Sequence, residues 1–243
     1  MPSKSQTQLI RSLSQKKYRL QHRLFVVEGE KSVLEFLASD LRLHAIYTTE
    51  SHSLPANIEA EKVSQQQMQT MSQLKTPPGL LAVFHIPTPD TDLPTKGVHL
   101  VLDQVSDPGN LGTIIRLADW YGIQSIYCSS DTVDAYNPKS VQASMGSLAR
   151  VQPTYTDLIE MLQTTSLPVF GAFLHGTSIY AQDFPEDMLL IVGSESHGIS
   201  SKVLQYCSQN ITIPRAATSQ AESLNVTVAT AAIVSHIFAK RLG

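Results

Sequence analysis

Cysteine is nearly absent from this 243-residue chain. Cys128 and Cys207 stand far apart, neither in a CxxC pair nor beside a histidine cluster. That scarcity argues against a disulfide framework and against structural zinc, and no metal is expected. Long apolar runs are missing too. No stretch approaches the roughly 20 residues needed to span a bilayer, and the opening residues lack the apolar core of a signal peptide. The expectation is therefore a cytoplasmic protein with no membrane partner. Neither GxGxxG nor GxxxxGK[ST] occurs, so a dinucleotide-type Rossmann site or a P-loop NTPase has no support, and any nucleotide-like ligand must be held another way.

Acidic residues are missing in one place only. The chain carries 18 Lys and Arg against 21 Asp and Glu, a net charge of −3, yet nothing acidic precedes Glu28. That opening stretch holds Lys4, Arg11, Lys16, Lys17, Arg19 and Arg23. One reading is a solvated N-terminal helix. The other is a phosphate-contacting stripe, because clustered Lys and Arg supply the electrostatic part of nucleic-acid affinity.

Length and a 42% hydrophobic composition fit about two domains. Residues 86–97 hold three prolines, one glycine and no apolar periodicity, which reads as a linker. Before it, residues 24–27, 43–47 and 80–84 read as short buried strands, and residues 30–38 and 64–74 have helical spacing. A small α/β domain over residues 1–85 follows. After the linker, apolar runs at 98–102, 125–128, 169–174, 188–192 and 211–213 alternate mostly with helical patterns. This predicts a parallel sheet covered on both faces over residues 98–243. Gly122 suits a helix C-terminus, Asn137-Pro138 suits a helix start, and the last helix is expected from about Ser223 to Lys240.

In an open parallel sheet, ligands collect at loops that follow the carboxyl ends of strands. Three such loops are unusual here: DQVSDPGNLG after the first strand, GSESHGIS after the fourth and PRAATSQAESLN after the fifth. Each also has a bland reading. Asn110 could be a helix N-cap, and Arg116, about a turn and a half on, an ion-pair partner of Asp103 or Asp119. Glu195 could cap a helix beginning near Ser200, while Ser223 and Asn225 could be caps of the final helix. A nucleophile elbow at Ser196-His197-Gly198 would need glycine where Ser194 stands, which weakens a hydrolase reading.

Taken together, the loops resemble the SpoU (TrmH) family of the SPOUT class of RNA methyltransferases. Its first motif looks like Asn110-Leu111-Gly112-Thr113-Ile114-Ile115-Arg116. Its second is similar to Gly193 through Ile199, and its third to Ile213-Pro214 with Ser223 through Ala229. Asn137-Pro138-Lys139 and Ala143-Ser144-Met145-Gly146 also match, and order and spacing agree over about 145 residues. Lys16 through Arg19 with Phe25 through Gly29 resembles the substrate-binding domain attached to many members. One departure is Arg215, which stands where the family often has Met, in a third loop without the frequent glycine.

The resemblance implies an α/β fold with a deep trefoil knot, S-adenosylmethionine (AdoMet) as cofactor, a homodimer, and methylation of a ribose 2′-hydroxyl in RNA, leaning towards ribosomal RNA. It assigns catalysis to Arg116, Asn110, Glu195, Ser223 and Asn225, and cofactor contacts to the surroundings of Gly193, Ile213, Ser223 and Leu224. Lys16, Lys17, Arg19, Arg23 and Arg116 become the expected RNA contacts. Arginine is a poor base, with a pKa above about 12, so Arg116 is expected to clamp phosphate and stabilise developing alkoxide. The rival classes are a catalytically silent RNA-binding module, which would have damaged cofactor motifs, and a hydrolase, which would need a complete triad.

Overall fold

The computed structural model describes residues 2–50, 52–89, 93, 95–123, 125–239 and 241. The chain divides into two compact units, one of Met1–Thr88 with Asp134–Arg150, the other of Pro89–Val133 with Val151–Gly243. Among the described residues no helix is long and apolar enough to cross a membrane.

The first unit opens with two short helices, α1 (Lys4–Ser12) and α2 (Lys16–His22), then β1 (Leu24–Glu28), α3 (Glu30–Leu37), β2 (Leu43–Thr48), β3 (Glu61–Lys62), α4 (Gln65–Met71) and β4 (Leu80–His85). Capping boxes start α1 at Ser3 with Gln6, and α4 at Ser64 with Gln67. The strands order as β1-β4-β2-β3, with β4 antiparallel to both neighbours and β2 parallel to β3. Ile10 and Leu13 pack with Val26, Met68, Met71 and Val83 in one apolar cluster.

The second unit begins with β5 (Val98–Asp103), α5 (Pro108–Tyr121) and β6 (Ile126–Cys128). The chain then leaves it. Asp134–Arg150, with α6 (Pro138–Ser144) and a 3-10 turn (Ser147–Ala149), packs within the first unit. This differs from the expected boundary, which kept these residues with the C-terminal half. Two contacts explain the difference: the Phe25 and Tyr136 rings lie 4.8 Å apart, and Arg19 pairs with Asp134 at 2.6 Å.

Back in the second unit come β7 (Thr154–Tyr155), α7 (Leu158–Thr164), β8 (Val169–Ser178), β9 (Met188–Gly193), α8 (Ser201–Leu204), β10 (Gln209–Thr212) and α9 (Val226–Ala239). The six strands form one sheet in the order β10-β8-β9-β5-β6-β7, every pairing parallel. Central β5 and β9 are buried almost throughout, as a sheet covered on both faces requires. On one face Val101, Leu189 and Ile191 pack with Leu158, Met161, Leu162 and Val203. Gly122 ends α5 in a left-handed conformation (φ 71°), and Asn137 caps α6 with Pro138 at its first position. The end expected for α9, Lys240, lies outside the described residues.

His99, on β5, is only 7% exposed. Its Nε2 lies 2.6 Å from the Lys96 carbonyl and must carry the proton, so buried Nδ1 is an acceptor without a partner among the described residues. Protonating Nδ1 would add a buried N–H with nowhere to donate. Burial accordingly holds the imidazole below its ordinary range, partly offset by Lys96 and Asp187. The unfolded chain binds this proton more readily than the folded one, so the contribution to stability is present above the ordinary histidine range and lost as pH falls through it. Urea unfolding at pH 7 and pH 5 should show stability falling with acidity, and His99→Gln should flatten that slope. An equal slope in the variant would exclude His99 as its source.

Candidate functional site

The loops after β5, β9 and β10 meet through one side chain, Asn110. The first loop turns into α5 at Asp107, whose Oδ1 accepts the Asn110 N–H at 2.8 Å, with Pro108 at the first helical position. Asp107 is thus the N-cap. Asn110 stands inside the first turn, not at the cap, and its side chain is available to other partners.

Its amide is used at both ends. Nδ2 donates to Glu195 Oε1 at 2.5 Å. Oδ1 accepts from Asn225 Nδ2 at 3.1 Å and from the Thr227 hydroxyl at 3.2 Å. A carboxylate at one end and two donors at the other leave a single amide orientation that satisfies every partner. Asn225 meanwhile caps α9, its Oδ1 accepting the Thr227 N–H at 2.9 Å. The capping role and the role in the relay coexist because the two ends of the amide are separate.

Glu195 does not cap α8. The Ser200 N–H at that helix start donates instead to Asp103 Oδ2 at 2.7 Å. The second loop is closed by reciprocal backbone bonds between Ser194 and Gly198, of 3.0 and 2.8 Å. The closure depends on Gly193, where a Cβ would lie 2.1 Å from the Gly198 carbonyl carbon. Ser196 Oγ lies 2.8 Å from His197 Nδ1. Among the described residues no carboxylate bonds to His197, so the pair lacks the third member of a triad.

The third loop is braced by Arg215, whose Nη1 donates to the Ala221 carbonyl at 2.9 Å across the glycine-free turn. Leu224 is half exposed and Val228 similarly so. Ser223 is exposed and takes no part in the relay.

Arg116 is exposed on α5, on the same side as Thr113 and Trp120, and among the described residues it makes no ion pair. Asp103 is buried and occupied by Ser200, so that ion-pair reading of Arg116 fails. Six residues of helix advance about 9 Å and rotate about a third of a turn short of two whole turns. Arg116 therefore stands off the relay and does not share an edge with Asn110.

The expected RNA contacts divide. Lys16, Lys17 and Arg23 are exposed. Arg19 is 1% exposed: Nε and Nη2 reach Asp134 Oδ2 at 2.9 and 2.6 Å, and Nη1 reaches the carbonyls of Leu13 and Ser14. These four hydrogen bonds commit the side chain to the fold, so Arg19 is not an RNA contact. Thr227 was not anticipated. It lies within the third motif, and nothing in its sequence neighbourhood points to Asn110. The Asp107 cap, where the sequence reading offered Asn110, could have been found in the Asp-Pro pair.

Among the described residues no group of three or more His, Cys, Asp or Glu could hold a metal ion. A cavity of about 190 Å³, lined by residues including Lys96, His99, Phe238 and Arg241, opens at the other end of β5 from the three loops.

The family model of the SpoU rRNA methylase family matches residues 97–235, and that of the MRM3-like substrate binding domain matches residues 4–82. A 23S rRNA (guanosine(2553)-2′-O)-methyltransferase, RlmP, of Bacillus subtilis is 33% identical over 239 residues, covering 93% of each chain. A TrmH-family chain from Porphyromonas gingivalis superposes with a TM-score of 0.89 at 39% identity, over 98% of each chain. An AdoMet-bound rRNA methyltransferase from Sinorhizobium meliloti gives a TM-score of 0.89 at 25% identity, over 100% of this chain and 98% of its own.

Proposed function

The chain belongs to the SpoU rRNA methylase family, and from that premise we propose that it methylates a ribose 2′-hydroxyl of ribosomal RNA with AdoMet as donor. The observation that carries the reading is the relay Glu195–Asn110–Asn225, which ties together the three strand-end loops. A catalytically silent module would have no need to hold these loops in register. We place the protein in the cytosol, acting as a homodimer. Support for the dimer comes from Trp120, 83% exposed on the same side of α5 as Arg116.

The second and third loops fit the cofactor chemically. They offer a tightly closed backbone turn at Gly193 and exposed apolar side chains at Leu224 and Val228, suited to an adenosine face and a thioether chain. Backbone around Gly193, Ile213, Ser223 and Leu224 would hold it. When bound, AdoMet supplies a methyl group activated by a sulfonium. Arg116, always protonated, clamps the phosphate next to the target ribose and stabilises the charge developing on O2′, while the hydroxyl proton leaves to phosphate or water. Asn110, Glu195, Asn225 and Thr227 fix the loops around that ribose, and Ser223 lies next to Leu224 for the same purpose.

Full-length protein incubated with methyl-labelled AdoMet and 23S ribosomal RNA should place label in the RNA without added metal. The labelled linkage should resist alkali, because a blocked 2′-oxygen cannot attack its own phosphate. Label on a base, or none in RNA, would overturn the assignment.

A further inference from the structure

The end of the first unit's sheet where β1 and β2 begin carries a cationic cluster that serves no part of the relay. Arg23 adopts a left-handed backbone (φ 54°) between α2 and β1. Its carbonyl accepts the Ile86 N–H at 2.8 Å, and its Nη2 donates to the Pro87 carbonyl at 2.7 Å. One strand over, His85 closes β4 opposite Leu24. The His85 N–H bonds the Arg42 carbonyl at 2.9 Å, which brings the head of β2 alongside. His44 follows two residues later, its ring meeting that of His85 edge-on with 5.2 Å between centroids. Pairing thus lines up Arg23, His85, Arg42 and His44 across three adjacent strands.

Arg23, Arg42 and His44 are exposed and His85 is partly so. Burial, and then the nearby Arg42 and His44, push the His85 imidazole below its ordinary range, so its influential charged neighbours are of cationic type. The Arg19 guanidinium is buried against a carboxylate and two carbonyls, whereas Arg23 commits only Nη2, to the Ile86 and Pro87 carbonyls, and stays exposed with Arg42 and the two rings at one sheet end. Like charges held together repel, and a polyanion relieves that repulsion. Guanidiniums match phosphate oxygens, and aromatic rings at an exposed edge offer stacking surfaces to unpaired bases.

We infer that this sheet end is an RNA-contacting face, with Arg23 and Arg42 on the ribose-phosphate backbone and the His44–His85 pair against an unstacked base. The inference rests on the ribosomal RNA reading above and adds Arg42, His44 and His85, none of which lies in the cation-rich opening stretch. Lys16 and Lys17 are exposed on α2, the helix that leads directly into Arg23.

The test uses the full-length protein and purified 23S ribosomal RNA, with binding measured across a salt titration. Arg42→Ala/His44→Ala should weaken binding about tenfold near physiological salt and make the salt dependence shallower by about 1 in log–log slope, the phosphate contact of Arg42 being the one lost. AdoMet affinity should be unchanged. Should the double variant fail to fold, the single Arg42→Gln decides by the same titration, with a smaller loss and a slope shallower by about 1. Wild-type affinity and slope in a folded variant would overturn the surface, while methylation by the wild-type protein would leave the enzyme assignment standing. If the wild-type protein binds the RNA but does not methylate it, the activity is wrong, and loss of binding in the variant still upholds the surface.

Discussion

Arg116→Ala is expected to lower the single-turnover methylation rate by about a hundredfold or more, because a lost clamp on developing negative charge costs about 3 kcal/mol. The structure sharpens this expectation. Arg116 is exposed and makes no ion pair among the described residues, so its removal breaks no charge pair of the fold. AdoMet affinity and thermal stability should therefore stay near wild type, which separates a chemical role from a structural one. Arg116→Lys should retain part of the activity, since a cation remains, although it cannot form the two-pronged contact to phosphate. If alanine turns over at nearly the wild-type rate, Arg116 is an ordinary surface residue. If lysine is as inactive as alanine while still binding RNA, guanidinium geometry or acid–base chemistry outweighs charge, and the clamp account fails.

Arg19→Met is expected to produce the largest loss of stability, about 3 to 5 kcal/mol in urea unfolding of the first unit. Arg19 is 1% exposed, and the Asp134 side chain it pairs with is 11% exposed. Removing the guanidinium leaves that carboxylate, among the described residues, with the Tyr136 N–H at 2.9 Å on its other oxygen, and strands the carbonyls of Leu13 and Ser14. Lysine is no remedy, because a single ammonium cannot reach all the acceptors in the fork geometry. Asp134→Leu combined with Arg19→Met should recover much of the loss, since the stranded charge, more than the missing attraction, sets the cost. A single variant within about 1 kcal/mol of wild type would show that water replaces the guanidinium at little cost.

These two arginines mark where sequence reading works and where it stops. The strands β5, β6 and β9 were legible because strands buried on both faces are continuous apolar runs. The polar two-residue β7 was not, and β8 extends past Leu174 through exposed residues that pair with β10 after a bulge. The last helix starts at Val226, not Ser223, because Asn225 takes the cap. Motif spacing brought Asn110, Glu195 and Asn225 to light, and the structure joins them. Spacing could not reveal that Arg19 finds its counter-charge 115 residues away. An uncompensated run of cations in sequence is a statement about local neighbours only, and folding can supply the missing anion from anywhere.

The excursion of Asp134–Arg150 into the first unit sets an order of events during synthesis. At about 5 to 20 residues per second, those residues follow Thr88 by several seconds, roughly 3 to 12 s to the last of them. Until they emerge, Phe25 lacks its Tyr136 partner and Arg19 lacks Asp134. The amino-terminal unit therefore has to wait, incomplete, while β5, α5 and β6 leave the ribosome. A nascent chain stalled at the linker should be far more protease-sensitive than one stalled beyond Arg150.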